Sequence, residues 1–305
     1  MTTTLNLPGL TVFERGWLSS NNVLLQGDGS ATLIDSGHVR HAEQTVALLR
    51  HALNNCPLSR LVNTHLHSDH CGGNAAVQAT WAPLTHVPPG LAGAARRWDE
   101  VALGYQPTGQ ACPRFAVDGV LTPGDVVECG NHRFEAHAAP GHDPHALLLF
   151  DAGSGVLISG DALWQDGFGV VFPELDGEAG FDDVAATLDQ IERLPVQVVV
   201  PGHGTPFVDV AGALQRARHR LAGLRRDPAR HARHGAKVLI KYHLMELGEQ
   251  ALPDLRTWMA STPLLGSCQR RTSQAGTQLE FAQRLLDELL GSGAVTLDRA
   301  IVRDC

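Results

Sequence analysis

Four short apolar segments of the sequence each lead into a loop that carries histidine or aspartate next to glycine. The four stretches are RLVNTHLHSDHCGG (60–73), APGHDPH (139–145), LISGDAL (157–163) and VVVPGHG (198–204). Short apolar runs bounded by glycine or proline are typical of buried strands. Because loops that follow the strands of one sheet gather at one edge of it, we expect these polar side chains to converge there.

The sequence around these segments repeats one order of elements. In the first half, strand patterns precede the helical pattern HAEQTVALLRHAL (41–53), and the strand RLVNT follows it. In the second half, two hairpin patterns precede the amphipathic pattern FDDVAATLDQIERL (181–194), and the strand VQVVV follows it. Alternation of this kind is typical of helices packed on a sheet. We therefore predict an α/β fold in which two sheets pack face to face with helices outside.

After about Pro206, helical patterns replace the strand patterns. LQRARHRLAGLRR and AKVLIKYHLMEL are separated by Asp227 and Pro228, and LPDLRTWMAST and LEFAQRLLDELLGSGAV follow. VTLDRAIVR is a single short strand candidate near the end. We therefore predict a catalytic domain at 1–207 and a mainly helical C-terminal region at 208–305, for which a winged-helix character is one option.

Composition limits the classes of function. The net charge of −8 argues against a dedicated nucleic-acid binder, although the stretch 215–241 is rich in arginine. That stretch is either a solvated helix face or a contact for an anionic substrate or partner. No run approaches the roughly 18 apolar residues of a membrane span, and the first residues lack the features of a secretory signal. We expect a cytoplasmic protein without membrane association.

The stretch NTHLHSDHCGG (63–73) concentrates side chains that bind metal ions. In extended backbone, residues two apart point to the same side, so His65 and His67 can bind one ion together. Asp69 and His70 follow directly and can turn toward a second ion. Imidazole and carboxylate groups suit zinc, iron and manganese. The stretch therefore predicts a metal site, and the histidines and aspartate of the other three loops are candidates to complete it.

The motifs LIDSG, THLHSDH, PGH, SGD and PGHG, in this order, resemble those of the metallo-β-lactamase superfamily. The resemblance covers about residues 10–207. Asp161 is an aspartate, as in the glyoxalase II, lactonase and ribonuclease branches, and the glyoxalase II-like and lactonase-like hydrolases are the preferred branch. It implies an αββα sandwich with two divalent metal ions at one edge, with zinc as the first choice and iron or manganese as alternatives. The implied ligands are His65, His67 and His142 for the first ion and Asp69, His70 and His203 for the second, with Asp161 bridging both.

Several further residues are candidates to support the ligands or to contact a substrate. Asp35 matches an aspartate that, in the family, supports the ligand loop through hydrogen bonds. His145 lies three residues after His142 where many relatives place a histidine at four, so it is either a contact of the site or a turn residue. Stretches 96–115 and 163–177 mix aromatic residues, glycine and proline, as pocket walls do. Three aromatic residues in the second stretch either line a pocket or pack the loop onto the domain: Trp164, Phe168 and Phe172.

The resemblance implies hydrolysis. Two metal ions about 3.5–4 Å apart can hold a bridging hydroxide and polarise a carbonyl oxygen. We expect cleavage of an ester-type bond, a thioester or lactone, in a small molecule, with Asp69 and Asp161 as catalytic carboxylates. A metal-dependent ribonuclease or phosphodiesterase is the alternative, because the chain has a basic stretch and a C-terminal region. A non-hydrolytic diiron oxidoreductase or a binding protein is a third option, and the oligomeric state stays open, with a homodimer as one option.

Overall fold

The computed structural model describes residues 7–272 and 275–305, and its first sheet has six strands. These strands are β1 (Leu10–Phe13), β2 (Asn22–Gly27), β3 (Ser30–Ile34), β4 (Leu58–Val62), β5 (Leu84–Val87) and β6 (Gly119–Val120). The strands lie in sequence order across the sheet. The pairs β1–β2 and β2–β3 are antiparallel, whereas β3 to β6 are parallel to one another.

The second sheet has five strands. They are β7 (Val126–Cys129), β8 (His132–Ala138), β9 (Leu147–Asp151), β10 (Val156–Gly160) and β11 (Val198–Pro201). The strand order is β11-β10-β9-β8-β7, and only β10 and β11 are parallel. In β8 the buried His132, Phe134 and Ala136 alternate with the exposed Arg133 and Glu135, as expected of a strand with one face in the core.

The two sheets face each other across a shared apolar core. Val23 and Leu25 of β2 belong to the same buried cluster as Phe134 of β8 and Ile158 of β10. These four side chains are removed from water by contacts between the sheets and not within one sheet. The predicted face-to-face packing of two sheets is therefore confirmed.

Helices cover the outer faces of both sheets. The helices up to residue 226 are α1 (Ala42–Leu53), α2 (Ser68–Cys71), α3 (Asn74–Trp81), α4 (Pro89–Arg97), α5 (Tyr105–Thr108), α6 (Phe172–Asp176), α7 (Phe181–Arg193) and α8 (Val210–Arg226), of which α1, α3, α7 and α8 pack on the sheets. Leu49 of α1 and Val77 of α3 pack with Leu33 and Leu61 on the outside of the first sheet. Helices α7 and α8 bury apolar residues against the outside of the second sheet. This arrangement confirms the predicted αββα fold.

The C-terminal region is mainly helical, as predicted. It contains α9 (Pro228–Leu247), α10 (Leu252–Ser261), α11 (Pro263–Arg271) and α12 (Gln278–Gly291), with strands β12 (Glu249–Ala251), β13 (Val295–Asp298) and β14 (Ile301–Asp304). The single strand expected in VTLDRAIVR is wrong, because the segment forms a hairpin of β13 and β14. The reason is a reversal at Arg299 and Ala300, whose φ angles of 48° and 64° are left-handed.

Helix α8 joins the two predicted parts of the chain. Its Leu214 and Leu221 belong to the same buried cluster as Leu188 of α7. Helix α9, by contrast, packs in the C-terminal cluster with α11 and α12. The division after residue 207 stays a prediction. No helix among the described residues is both long and apolar enough to cross a membrane.

Candidate metal centre

The structure brings together all seven side chains that the sequence analysis names as metal ligands. They come from loops at the carboxyl ends of β4, β8, β10 and β11. The candidate ligand atoms form two groups, and within each group they lie within 4.8 Å of one another. The first group is His65, His67 and His142, and the second is Asp69, His70, Asp161 and His203.

Asp161 lies between the two groups. Its Oδ2 atom is 3.4 Å from Nε2 of His142 in the first group and 3.8 Å from Nε2 of His203 in the second. Its Oδ1 atom is 3.4 Å from Nε2 of His70. One carboxylate therefore reaches members of both groups, which is the position that a bridging ligand requires.

Hydrogen bonds fix the ring orientations in the first group. Nδ1 of His142 donates to the carbonyl oxygen of Val170 at 2.6 Å, which leaves Nε2 free to face the site. Nδ1 of His65 lies 3.2 Å from the Thr64 hydroxyl. Nδ1 of His67 lies 2.8 Å from Nε2 of His142. Nε2 of His65, Nε2 of His142 and Nδ1 of His67 thus face one common point. Histidines that bind metal ions are commonly oriented in this way by hydrogen bonds from their other ring nitrogen.

Asp35 holds the ligand loop from behind. Its carboxylate accepts from Nδ1 of His70 at 2.8 Å, from the Thr64 backbone N–H at 2.8 Å and from the Thr64 hydroxyl at 2.7 Å. These bonds hold Asp35 at a φ of 55°, a left-handed conformation that costs on the order of 1–3 kcal/mol for such a residue. They also leave Nε2 of His70 pointing at the second group.

The donor set fits divalent metal ions. Nε2 of His65 and Nε2 of His70 are buried and have no hydrogen-bond partner among the described residues. Buried nitrogens of this kind almost always have a partner in native proteins, so these two indicate a ligand. Gly202 keeps space beside them, because a Cβ atom there would lie 2.2 Å from Oδ1 of Asp161. Imidazole nitrogens with carboxylate oxygens are the donors that zinc, iron and manganese take.

The electrostatics of the site favour neutral ligands in the first group. Burial lowers the pKa of His67 and of His142 to about 4, and it lowers the pKa of His65 well below its usual value. Metal ligands must be deprotonated to bind, and these three rings are neutral at pH 7. The first group is thus ready to accept a cation.

The second group carries charge. Burial alone would raise the pKa of Asp161, but His203, His70 and His142 hold it well below its usual range. Burial alone would lower the pKa of His70, but Asp161, Asp35 and Asp69 raise it well above 6.5. Without metal, a proton on His70 balances these carboxylates. A metal ion that binds here must displace that proton.

A cavity of about 240 Å³ opens beside His67. Its wall is partly apolar, and the ring centroid of Phe172 lies 4.8 Å from that of His67. Of the described residues that line the cavity, none is lysine or arginine, whereas Asp143, Asp176 and Glu178 are acidic. Both predicted wall stretches contribute, and their lining residues include Val101, Leu103, Tyr105, Phe172 and Pro173.

The other predicted contact residues differ in position. His145 is exposed and lines the cavity. Trp164 lies beside the second group, where its Nε1–H donates to Oδ1 of Asp161 at 3.2 Å. The contribution of Phe168 to a pocket wall is not seen. Its ring is 1 % exposed and packs with Leu163 in the core outside the second sheet.

Three residues at the site were missed by sequence reasoning. Asp143 is 4 % exposed and its Oδ2 lies 3.6 Å from Nε2 of His67. It directly follows His142 in GHDPH, so its place beside a candidate ligand was a usable signal. Trp17 is 62 % exposed and stacks on His203 at a centroid distance of 5.7 Å. The Tyr242 hydroxyl of α9 lies 2.9 Å from the hydroxyl of Ser68, within the ligand loop. No local pattern in the sequence predicts that Trp17 or Tyr242 lies at the site.

A family model settles the class of protein. The model of the metallo-beta-lactamase superfamily matches residues 15–203, which include every candidate ligand. The chain belongs to the metallo-beta-lactamase superfamily. Together with the His and Asp groups, membership of this superfamily makes the chain a metal-dependent hydrolase.

Curated and solved relatives agree with membership of the superfamily. A hydroxyacylglutathione hydrolase of Xylella fastidiosa (strain M23) is 28 % identical over 212 residues, which are 69 % of this chain and 68 % of that protein. Another from Polaromonas sp. (strain JS666) is 33 % identical over 168 residues, which are 53 % of each chain. A solved metallo-beta-lactamase family protein of Thermus thermophilus has a TM-score of 0.56 at 22 % identity and covers 98 % of this chain and 99 % of its own. The fold likeness to the last therefore includes the C-terminal region.

Proposed function

We propose that this superfamily member uses two divalent metal ions, zinc as the first choice, to hydrolyse a thioester or lactone of a small molecule in the cytoplasm. The observation that carries the proposal is the position of Asp161 between two groups of metal-binding side chains. A single metal site would need only one of these groups. The second group and the carboxylate between them support a site for two ions.

We assign the first ion to His65, His67 and His142, the second to Asp69, His70 and His203, and Asp161 to both. Two bound divalent ions supply a water-derived nucleophile at neutral pH and polarise the carbonyl group of an ester. The chain itself holds these ligands in place through Asp35 and the Val170 carbonyl. Both supports act on the ring nitrogen that faces away from the site, so they fix the nitrogen that faces it.

Asp69 and Asp161 are the proposed catalytic carboxylates. Asp69 is half-buried, and its Oδ2 lies 3.0 Å from Nε2 of His203. Asp161 is buried and receives the Trp164 indole N–H. Asp161 would therefore be the ligand shared by two ions and the carboxylate that can accept a proton inside the site. Asp69, with more access to solvent, would be the carboxylate through which a proton can leave.

The residues that line the cavity beside His67 favour an uncharged acyl group as the part of the substrate that binds there. An anionic group in the cavity would meet Asp143, Asp176 and Glu178 without a lysine or arginine among the described lining residues. Apolar contacts with Phe172 and Leu264 favour a neutral acyl chain or lactone ring. The two relatives named above are thioester hydrolases by name, and their modest identity supports the thioester class without fixing the acyl group.

Cleavage of phosphodiesters is the second candidate, and the basic stretch 215–241 is the observation that favours it. The double substitution Arg225→Glu/Arg226→Glu separates the two candidates. A nuclease that holds its substrate on this stretch loses its activity in the variant. A thioester or lactone hydrolase keeps nearly all of its turnover, because neither arginine lines the cavity beside His67.

The experiment that tests the proposal is a substrate panel on zinc-, iron- and manganese-reconstituted protein. The panel contains neutral acyl thioesters, a glutathione thioester, lactones of several ring sizes and a phosphodiester. We expect turnover of neutral thioesters or lactones, abolished by a chelator and restored by metal. Turnover of the phosphodiester alone, or equal turnover with and without metal, would contradict the proposal.

A further inference from the structure

A second concave surface lies between α8 and α9 and is strongly cationic. It has a volume of about 650 Å³, larger than the cavity beside His67. We call it the basic cleft. Its charged and titratable lining residues include Arg220, Arg226, Arg230, Arg233, His234 and Lys237.

Most of this positive charge has no carboxylate counter-ion within residues 7–272 and 275–305. Arg233 and Lys237 share one carboxylate, that of Glu288, with Lys237 at 3.4 Å. Arg220, Arg226 and Arg230 form no ion pair with a carboxylate among the described residues. Uncompensated charges of one sign in a concave surface raise the local concentration of the opposite ion.

The lack of counter-ions is specific to the cleft and not a property of α8 as a whole. Arg218 on the same helix pairs with Asp189 at 2.7 Å and with Glu192 at 2.9 Å. Arg225 pairs with Asp182. The arginines of α8 outside the cleft thus have carboxylate partners, whereas among the described arginines that line it only Arg233 has one, although the net charge of the chain is −8.

The cations are partly held in position. The guanidinium of Arg220 lies 5.1 Å above the ring of Phe168, and its Nη2 is 3.4 Å from Nε2 of His234. Burial and the charges of Arg220, Lys237 and other neighbouring cations lower the pKa of His234 to about 4. Guanidinium groups in a fixed fork match the oxygens of phosphate.

The basic cleft is lined by other residues than the metal centre. Helix α9 contains both Arg230 in the cleft and Tyr242 at the ligand loop. About 18 Å of helix separates these two residues at 1.5 Å of rise per residue. None of the seven candidate ligands is among the described residues that line the basic cleft, so an anion bound at Arg230 meets a different set of side chains.

We propose that the basic cleft binds a small polyphosphorylated anion of the size of a nucleoside diphosphate. Its volume falls in the range of roughly 300–1,000 Å³ that is usual for small-molecule sites. Arg220, Arg226 and Arg230 all line this one surface, so a row of phosphates can meet more than one of them. The proposal does not depend on the proposed hydrolase function.

The test is isothermal titration of the purified metal-loaded protein with ADP. The double substitution Arg226→Gln/Arg230→Gln removes two exposed charges that make no ion pair, so it leaves the fold intact. The matched control Arg193→Gln removes one exposed arginine at the end of α7, outside the cleft. We expect one ADP per chain, an affinity at least about tenfold lower in the double variant, an unchanged affinity in the control, and weaker binding at higher salt.

Two results would overturn the proposal. Equal affinity of ADP for the wild type and the double variant places the ligand elsewhere, for example at the metal centre. The variant His67→Ala checks this separately, because binding in the cleft survives loss of metal. Tighter binding of a single-stranded RNA than of ADP, dependent on the same two arginines, would show that the cleft serves a polynucleotide and not a small anion.

Discussion

The metal centre and the basic cleft are both polar, but they are built in opposite ways. The metal centre collects buried and half-buried side chains from the segments that follow four strands, and outer partners such as Asp35 fix their orientation. The basic cleft collects exposed or half-buried cations from two consecutive helices, and Arg220, Arg226 and Arg230 pair with no carboxylate in the part of the chain that the structure describes. Metal binding at the first depends on the geometry of individual side chains, whereas anion binding at the second depends on the sum of several charges. Single substitutions should therefore have large effects at the metal centre and small, graded effects at the cleft.

The largest effect is expected from Asp161→Ala. Removal of the carboxylate between the two ligand groups should lower metal content and reduce kcat/KM on the order of 10³-fold, equal to about 4 kcal/mol. Elemental analysis measures the metal content, steady-state kinetics measures kcat/KM, and circular dichroism checks that the fold is retained. The control Asp183→Ala removes an exposed carboxylate at the start of α7 and should change none of them. A variant at position 161 that keeps two ions and full turnover would disprove the bridging role.

The next effect is expected from Asp35→Ala. Loss of its three hydrogen bonds frees the ring of His70 and the Thr64 backbone, while every proposed ligand remains. Metal affinity should fall about 10–100-fold, as for other partners that orient a ligand. Competition with a chelator measures the change. Asp35→Asn keeps part of the hydrogen bonding, so its loss should be smaller. An Asp35→Ala variant with unchanged affinity would show that the ligand loop needs no such support.

Metal affinity should also depend on pH. Because nearby carboxylates raise the pKa of His70 well above 6.5, a proton and a metal ion compete for this ring at neutral pH. Affinity should therefore fall as the pH falls from 8 to 6, by up to about tenfold per pH unit for each proton displaced. In the metal-free protein, the folding stability also depends on pH, and it falls as the pH rises. The contribution of His70 to stability is complete below about pH 6.5 and is lost as the pH rises through the folded-state pKa.

Titration calorimetry in buffers of different ionisation enthalpy counts the protons that metal binding releases. Release of a proton near pH 7 is the expected result. Binding without proton release at this pH would show that His70 is already neutral in the metal-free protein.

A smaller effect is expected from Tyr242→Phe. The variant loses the bond between the Tyr242 hydroxyl and Ser68 but keeps the ring contact with His38. The loss of one hydrogen bond of this kind is worth about 0.5–1.5 kcal/mol, which corresponds to a change of a few-fold in kcat/KM. Steady-state kinetics with the substrate found in the panel measure it. No change at all would mean that the C-terminal region does not help to position the ligand loop.

The smallest effect on catalysis is expected from the cleft variant Arg226→Gln/Arg230→Gln. Its turnover of a thioester or lactone should stay within about two-fold of the wild type, because distant sites contribute independently. The same kinetic assay measures this. A large fall in turnover would show that the two regions act together and would break the contrast between them.

The sequence predicts the positions of the candidate ligands better than it predicts their surroundings. His65, His67, Asp69 and His70 stand within six positions at the end of a strand, so local spacing alone places them together. Partners from distant elements, such as Trp17 and Tyr242, contact the ligand loop or its neighbours only through packing that no local pattern encodes. The fold was predictable for the same reason as the ligands, because periodicity is local and topology rules are few.

Phe168 and Phe172 show where prediction from composition stops. Both lie in the same glycine-containing stretch, yet one packs into the core outside the second sheet and the other against His67. Burial of a ring depends on which side of the loop faces the domain, and composition does not record it. The hairpin at the end of the chain is a similar case. Its reversal at Arg299 and Ala300 lacks the glycine or asparagine that usually indicates such a turn.

The most direct test of the metal centre is the metal content of freshly purified protein, measured by elemental analysis before and after chelation and reconstitution. The two ligand groups around Asp161 predict two divalent ions per chain, removed by the chelator and restored on addition of zinc. A chain that holds no metal even after reconstitution would contradict the assignment of these seven side chains as ligands.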